Sequence, residues 1–234
     1  MSSYKALKEA AWKCNIELYK KGVIIYTFGN VSAFDPEKGV LAIKPSGVPY
    51  EYLKPDDMVV VDVDNHIVEG HLKPSSDTKT HIVLYKNFPG IGGIAHTHST
   101  YAVAWAQALK PIPILGTTHA DHLRSDIPCT DIMSDDMICG DYEEQTGFQI
   151  VQTFKNRSYT EIEMVLVAGH GPFTWGETPE KAVYNSIILE ELAKIAAVTL
   201  SINPDAPRLK PSLIEKHYRR KHGKDAYYGQ INAP

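Results

Sequence analysis

Cysteine is scarce in this 234-residue chain: Cys14, Cys129 and Cys139 are odd in number and form no C-x-x-C pair. That argues against a disulfide framework and for a reducing compartment. No run approaches the roughly 18 apolar residues of a membrane span, and Met1 to Lys5 lead straight into a mixed-polarity helical pattern. A cytoplasmic, unexported protein is expected. Charge of one sign never accumulates beyond Arg219-Arg220-Lys221, and the formal net charge is -4, so nucleic acid is not an expected partner. The G-x-x-x-x-G-K-[ST] loop is missing, so no nucleotide is inferred. Internal repeats, low-complexity tracts and linkers are missing too. With 43% hydrophobic and 22% charged residues, the whole span 1–234 is expected to form a single domain around a substantial core.

What is there is a regular alternation of patterns. Leu7, Ala10, Ala11, Cys14 and Leu18 predict an amphipathic helix from Tyr4 to Lys21, capped by Ser3 and ended by Gly22. Val23–Phe28, Val31–Phe34 and Val40–Ile43 read as strands separated by Gly29-Asn30 and by residues 35–39. Met58–Val63 predicts another, turning at Asp64-Asn65 into a hairpin. A helix is expected after Asp77, stopped by Pro89-Gly90, with others over Ser99–Leu109, Gln145–Phe154, Thr178–Leu200 and Ser212–Lys221. Thr178 suits a cap, and Pro179 loses nothing at a first helical position. Met164–Ala168 predicts a buried strand with Phe173–Trp175 as its hairpin partner, and residues 116–139 read as loop. The sum is an α/β domain: a largely antiparallel sheet flanked by helices.

The chemistry concentrates where strands end. In Gly92 to Ser99, an extended backbone puts His96 and His98 on one side and Thr97 on the other, which makes one edge of a metal site. Two imidazoles do not hold a divalent ion alone. His170 is the third candidate, at the end of an apolar strand between Gly169 and Gly171, and Asp77 is the carboxylate candidate. Asp77 also suits a plain helix cap. Beside it, Ser75 and Ser76 put two hydroxyls at a helix start, a ready site for an anion such as phosphate. Lys44-Pro45-Ser46-Gly47 and Gly29-Asn30 are further polar cradles or simple turns. Asp121, in Gly116-Thr117-Thr118-His119-Ala120-Asp121, is an acid/base candidate or a solvated loop carboxylate. Tyr227-Tyr228 requires a surface to pack on, which another subunit would supply.

Taken together, Gly29 to Ala33, Ile43 to Val48, Lys73 to Thr78, His96 to Ser99, Gly116 to Asp121, Gly169 to Phe173 and Lys216 through Gln230 resemble the class II aldolase and epimerase family. The resemblance implies a three-layer fold and a divalent site of His96, His98 and His170 with Asp77 in or beside it, holding zinc, with manganese or cobalt acceptable. It implies sugar-phosphate contacts from Gly29, Asn30, Lys44, Ser46, Gly47, Ser75 and Ser76. It also implies proton transfer by Asp121 and Tyr228, in a homotetramer with active sites between subunits. The epimerases of the family invert C4 of L-ribulose 5-phosphate by breaking and remaking the C3–C4 bond, as in arabinose catabolism. Its aldolases carry glutamate where this chain has Asp77, which favours the epimerase branch over a lyase. A non-catalytic, adducin-like binding domain is disfavoured because all three histidines are present.

Overall fold

The computed structural model describes residues 3–222 and 226–227. Its centre is a seven-stranded, wholly antiparallel sheet in the order β4-β3-β2-β1-β5-β7-β6. The strands are β1 (Gly29–Asp35), β2 (Val40–Ile43), β3 (Val59–Asp62), β4 (Ile67–Glu69), β5 (Gly93–Thr97), β6 (Met164–Leu166) and β7 (Pro172–Gly176). The expected architecture of an antiparallel sheet between helices is the one observed. Strand alternation divides the core. Leu41, Ile43, Val59, Val61, Ile94, Phe173 and Trp175 belong to one apolar cluster, and Val31, Ala33, Ala42, Val60 and Ala95 to the other.

Helices cover both clusters. α1 (Lys5–Lys20) brings Ala11, Cys14 and Leu18 to the second, joined by Ala182 and Val183 from the start of α7 (Pro179–Ile202). The first takes Ile82, Leu84 and Tyr85 from α2 (Thr78–Asn87), Ala102 and Ala106 from α3 (Thr100–Gln107), and the rest of α7. α4 (Thr117–Ala120), α5 (Asp135–Cys139), α6 (Tyr142–Thr153), which packs on α2, and α8 (Pro211–Lys221) complete the set. No helix among the described residues is long and apolar enough to cross a membrane.

Four local expectations are corrected. Val23–Phe28 is not a strand: Ile25 and Phe28 make an isolated bridge around Tyr26, whose φ is 51° and whose side chain is 80% exposed. Gly29-Asn30 is not a turn but the start of β1, and the tight bend comes three residues earlier. Ser3 does not cap α1, since Tyr4 holds the N-cap position and its side chain makes no capping bond to the helix. Residues 116–139 are also less irregular than expected, because α4 and α5 lie within them. Thr178 and Pro179 do open α7, with the threonine hydroxyl accepting from Lys181 N.

Candidate metal and sugar-phosphate site

In the sheet register Asn30 and Phe173 both lie opposite His96, so the three side chains share a face. The next step along the backbone brings His98 to the same side: the Nε2 atoms of His96 and His98 are 3.1 Å apart. His170 joins them from the turn between β6 and β7, where Gly169 has a φ of 69°. Gly171 is pressed against β5, and a Cβ there would stand 2.9 Å from the Thr97 carbonyl oxygen. One ligand nitrogen from each of the three histidines lies within 4.8 Å of the others.

This donor set fits a divalent cation. Tetrahedral bonds of about 2.0–2.1 Å separate neighbouring nitrogens by about 3.3 Å, close to the His96–His98 spacing. His96 Nδ1 donates to the Pro172 carbonyl at 2.9 Å, which leaves its Nε2 lone pair free and fixes the ring. Burial lowers the His98 pKa and pushes His170 down to about 3, which favours the neutral form that ligates.

Asp77 sits at the N-cap of α2, but its side chain makes no cap hydrogen bond. Its Oδ2 instead accepts from Asn30 Nδ2 at 2.7 Å, across from β1. Burial raises its pKa, yet the electrostatic pull of His96 and His81, the Asn30 bond and His170 outweigh burial and hold it below the usual carboxylate range. The simple capping alternative does not describe this residue.

The polar cradles meet beside the histidines because two loops are stitched together. Pro45 bridges Pro74, Ser46 N donates to Lys73 O at 2.9 Å, and Ser75 N donates to Lys44 O at 3.1 Å. One cavity of about 370 Å³ is therefore lined by Gly29, Asn30, Lys44, Ser46, Gly47, Ser75, Ser76, Asp77, His96, His98 and His170. Lys44 is 2% exposed, and among the described residues its ammonium has one hydrogen bond, at 3.3 Å to Pro45 O, and stands over the Tyr50 ring. Burial pulls its pKa down to about 8. A buried cation with so little compensation, beside two serines at a helix N-terminus, is chemically suited to an anion.

The chain matches the family model described as Class II Aldolase and Adducin N-terminal domain over residues 9–197. It belongs to that family. Among solved structures it is similar to an L-fuculose 1-phosphate aldolase, with 26% identity and a TM-score of 0.79 over 94% of this chain and 97% of that one. A putative aldolase/epimerase/decarboxylase from Klebsiella pneumoniae gives 24% and 0.73 over 92% and 99%. The L-fuculose-1-phosphate aldolase from Thermus thermophilus gives 24% and 0.67 over 86% and 98%. At these lower identities the last two show the fold alone. Class II aldolases typically depend on a divalent metal, and the histidine cluster is able to hold one.

Asp121 does not join this cavity within the chain. It lines another, of about 410 Å³, with His122, Tyr184, Tyr218, Lys221 and His222. Its carboxylate accepts from His217 Nδ1 at 2.9 Å and from Arg220 Nε at 2.9 Å and Nη2 at 2.6 Å. Burial opposes ionisation there, but Arg220, His217 and Lys221 prevail and bring its pKa down to about 2. Tyr228 lies outside the described residues. The cavity also gains residues that the sequence did not single out: Thr27, Phe28, Tyr142 and Glu143. Tyr142, whose hydroxyl is 3.4 Å from His170 Nδ1, follows the Asp141 cap of α6 and carries no local signal of a site. Only the packing of α6 on α2 brings it there.

Proposed function

We propose that this protein is a divalent-metal-dependent epimerase that interconverts L-ribulose 5-phosphate and D-xylulose 5-phosphate. The observation that carries the reading is the setting of Asp77, whose carboxylate is tethered to Asn30 and held below the usual carboxylate range. A carboxylate so held is a fixed anion beside the histidines rather than a free acid or base. The aldolases this chain resembles carry glutamate at that position, a methylene longer and able to reach substrate.

In this reading His96, His98, His170 and Asp77 hold the cation, zinc with manganese or cobalt as alternatives. Bound there, the cation would be a Lewis acid for negative charge developing on the C2 and C3 oxygens of the ketose. Lys44, Ser46, Gly47, Ser75 and Ser76, with Gly29 and Asn30, hold the phosphate end and fix the substrate's direction. Removing the C4 hydroxyl proton lets the C3–C4 bond break to the dihydroxyacetone enediolate and glycolaldehyde phosphate. Rotation of the aldehyde and re-addition to its other face invert C4, so protons are handled on both faces. Asp121, as an anion, accepts on one. Tyr228, with an ordinary pKa near 10, donates on the other.

Because Asp121 and the histidines line separate cavities of one chain, the pair is supplied by a neighbouring subunit of a homotetramer. The chain, 1–234, works as one domain per active site, in the cytoplasm. A lyase reading is favoured by the 26% identity with an L-fuculose 1-phosphate aldolase. The two are separated by NMR of L-ribulose 5-phosphate incubated with zinc-loaded and with chelated protein. D-xylulose 5-phosphate formed only with metal is the expected result. Accumulation of dihydroxyacetone and glycolaldehyde phosphate would establish the aldolase, and no turnover would overturn both.

A further inference from the structure

Tyr50 is 1% exposed and belongs to the apolar cluster under α1, yet it makes two polar contacts at the wall of the histidine cavity. The Lys44 ammonium stands over its ring, 4.7 Å from the centroid. Its hydroxyl, kept protonated because burial raises its pKa, donates to the Gly29 carbonyl at 2.8 Å. Lys44, just beyond β2, and Gly29, at the start of β1, both line the cavity, whereas Tyr50 stands behind them. The plane of the ring is set from α1: Tyr19 stacks on it at 5.5 Å with an interplanar angle of 8°, and the Tyr19 hydroxyl donates to Glu51 at 2.6 Å.

A lysine that is 2% exposed has lost its hydration and requires an offset. A carboxylate is the common partner of a buried ammonium, and it would cancel the charge on which an incoming anion depends. The contacts of the Lys44 ammonium among the described residues are the Pro45 carbonyl and the Tyr50 ring, and neither is an anion. An aromatic face attracts a cation through its quadrupole, most strongly where water is excluded, and leaves the net charge in place. The same side chain reaches the backbone of β1 with its hydroxyl, so one rigid group spaces the lysine from the strand. Gly29 in turn lies opposite Thr97, in the strand that carries His96.

We propose that Tyr50 is a positioning residue for phosphate binding: its ring face holds the Lys44 ammonium without cancelling its charge, and its hydroxyl fixes that charge relative to β1 through the Gly29 carbonyl. The inference rests on the assignment of Lys44 to the phosphate end of the substrate. It accounts for a tyrosine that touches two residues of the cavity wall without entering the cavity.

Carbon–proton NMR of the zinc-loaded wild-type protein tests the geometry without any substitution. The ring current is expected to move the Lys44 ε-methylene protons upfield of those of ordinary lysines, and an ordinary shift would overturn the proposal. Tyr50→Phe keeps the ring and loses the bond to Gly29, while Tyr50→Leu loses both. Inorganic phosphate is the probe, with its affinity read by calorimetry and zinc affinity read by chelator competition. Phosphate binding is expected to weaken about 10–30-fold in Tyr50→Leu and by a smaller factor in Tyr50→Phe, with zinc affinity unchanged in both. Equal losses in the two variants, no loss in either, or a parallel fall in zinc affinity would overturn the role. Lys44→Met run alongside separates the two levels of argument. If it leaves phosphate binding intact, the assignment of Lys44 fails; if it weakens binding while Tyr50→Leu does not, only the inference about Tyr50 fails.

Discussion

Lys44 concentrates the energetic compromise of the site in one side chain. Its ammonium is buried beside Tyr50 and the Pro45 carbonyl, and burial brings its pKa down to about 8. An unfolded lysine titrates near 10.4, so between those values the unfolded chain binds more protons and stability rises with pH through this group. Below about pH 8 the folded protein carries the full cost of the buried charge. Lys44→Met is therefore expected to raise the denaturant midpoint at pH 7, with a gain that shrinks between about pH 8 and 10. Substrate binding should move the other way, weakening by about 10–100-fold for a lost charge-assisted bond of roughly 1.5–3 kcal/mol. Urea melts across pH and titration with the sugar phosphate check the two effects separately. At this scale the sequence shows which residue types are available. It does not show that Lys44 is buried, nor that Asp77 turns from its own helix to Asn30, because both depend on the bridge between Pro45 and Pro74.

The histidine strand depends on neighbours that carry no catalytic group. Gly29 lies opposite Thr97 with a φ of 112°, and a Cβ there would come within 2.7 Å of the His96 carbonyl oxygen, so the pairing that carries His96 needs glycine. On the other side of His98, α3 begins without a capping side chain of its own. Glu190 of α7 serves instead: its two oxygens accept from Tyr101 N and Ala102 N, each at 2.9 Å. Glu190→Ala leaves those donors unpaired and is expected to cost about 1–3 kcal/mol, seen as a lower urea midpoint. Zinc affinity should weaken with it, since His98 enters α3 directly. Elements of this kind are only partly legible in sequence. Thr178-Pro179 and Pro89-Gly90 mark helix ends by local chemistry, whereas the run before Gly29 resembles a strand, yet Val23 and Ile24 are buried outside the sheet and Tyr26 turns into solvent beside the cavity.

For the whole molecule, the separation of Asp121 from the histidines makes a sharp prediction. Asp121→Asn and Tyr228→Phe should each lower epimerisation by orders of magnitude while leaving metal content intact. Because each site is proposed to draw on two subunits, co-refolding Asp121→Asn chains with His96→Ala chains should restore part of the activity that neither has alone. Some mixed interfaces would then combine an intact metal cluster with an intact Asp121. No recovery in a mixed oligomer verified by mass would place the proton-transfer groups and the metal in one chain, and Asp121 would have to leave its cage of Arg220 and His217 to act.

The sequence by itself determined what short-range geometry controls. A strand period of two put His96 and His98 on one side, glycines around His170 allowed a close turn, and apolar spacing specified the helices and the antiparallel sheet. The tertiary structure alone decided which of these segments meet. Residues as far apart as Asn30 and His170 share a cavity because β1, β5 and β7 are adjacent in the sheet, and Tyr142 reaches His170 because α6 packs on α2. Asp121, given an equally polar setting in the sequence, was drawn into a different cavity by Arg220 and His217 from α8. Such partners are chosen by long-range packing and charge pairing, and neither leaves a period in the chain that encodes it.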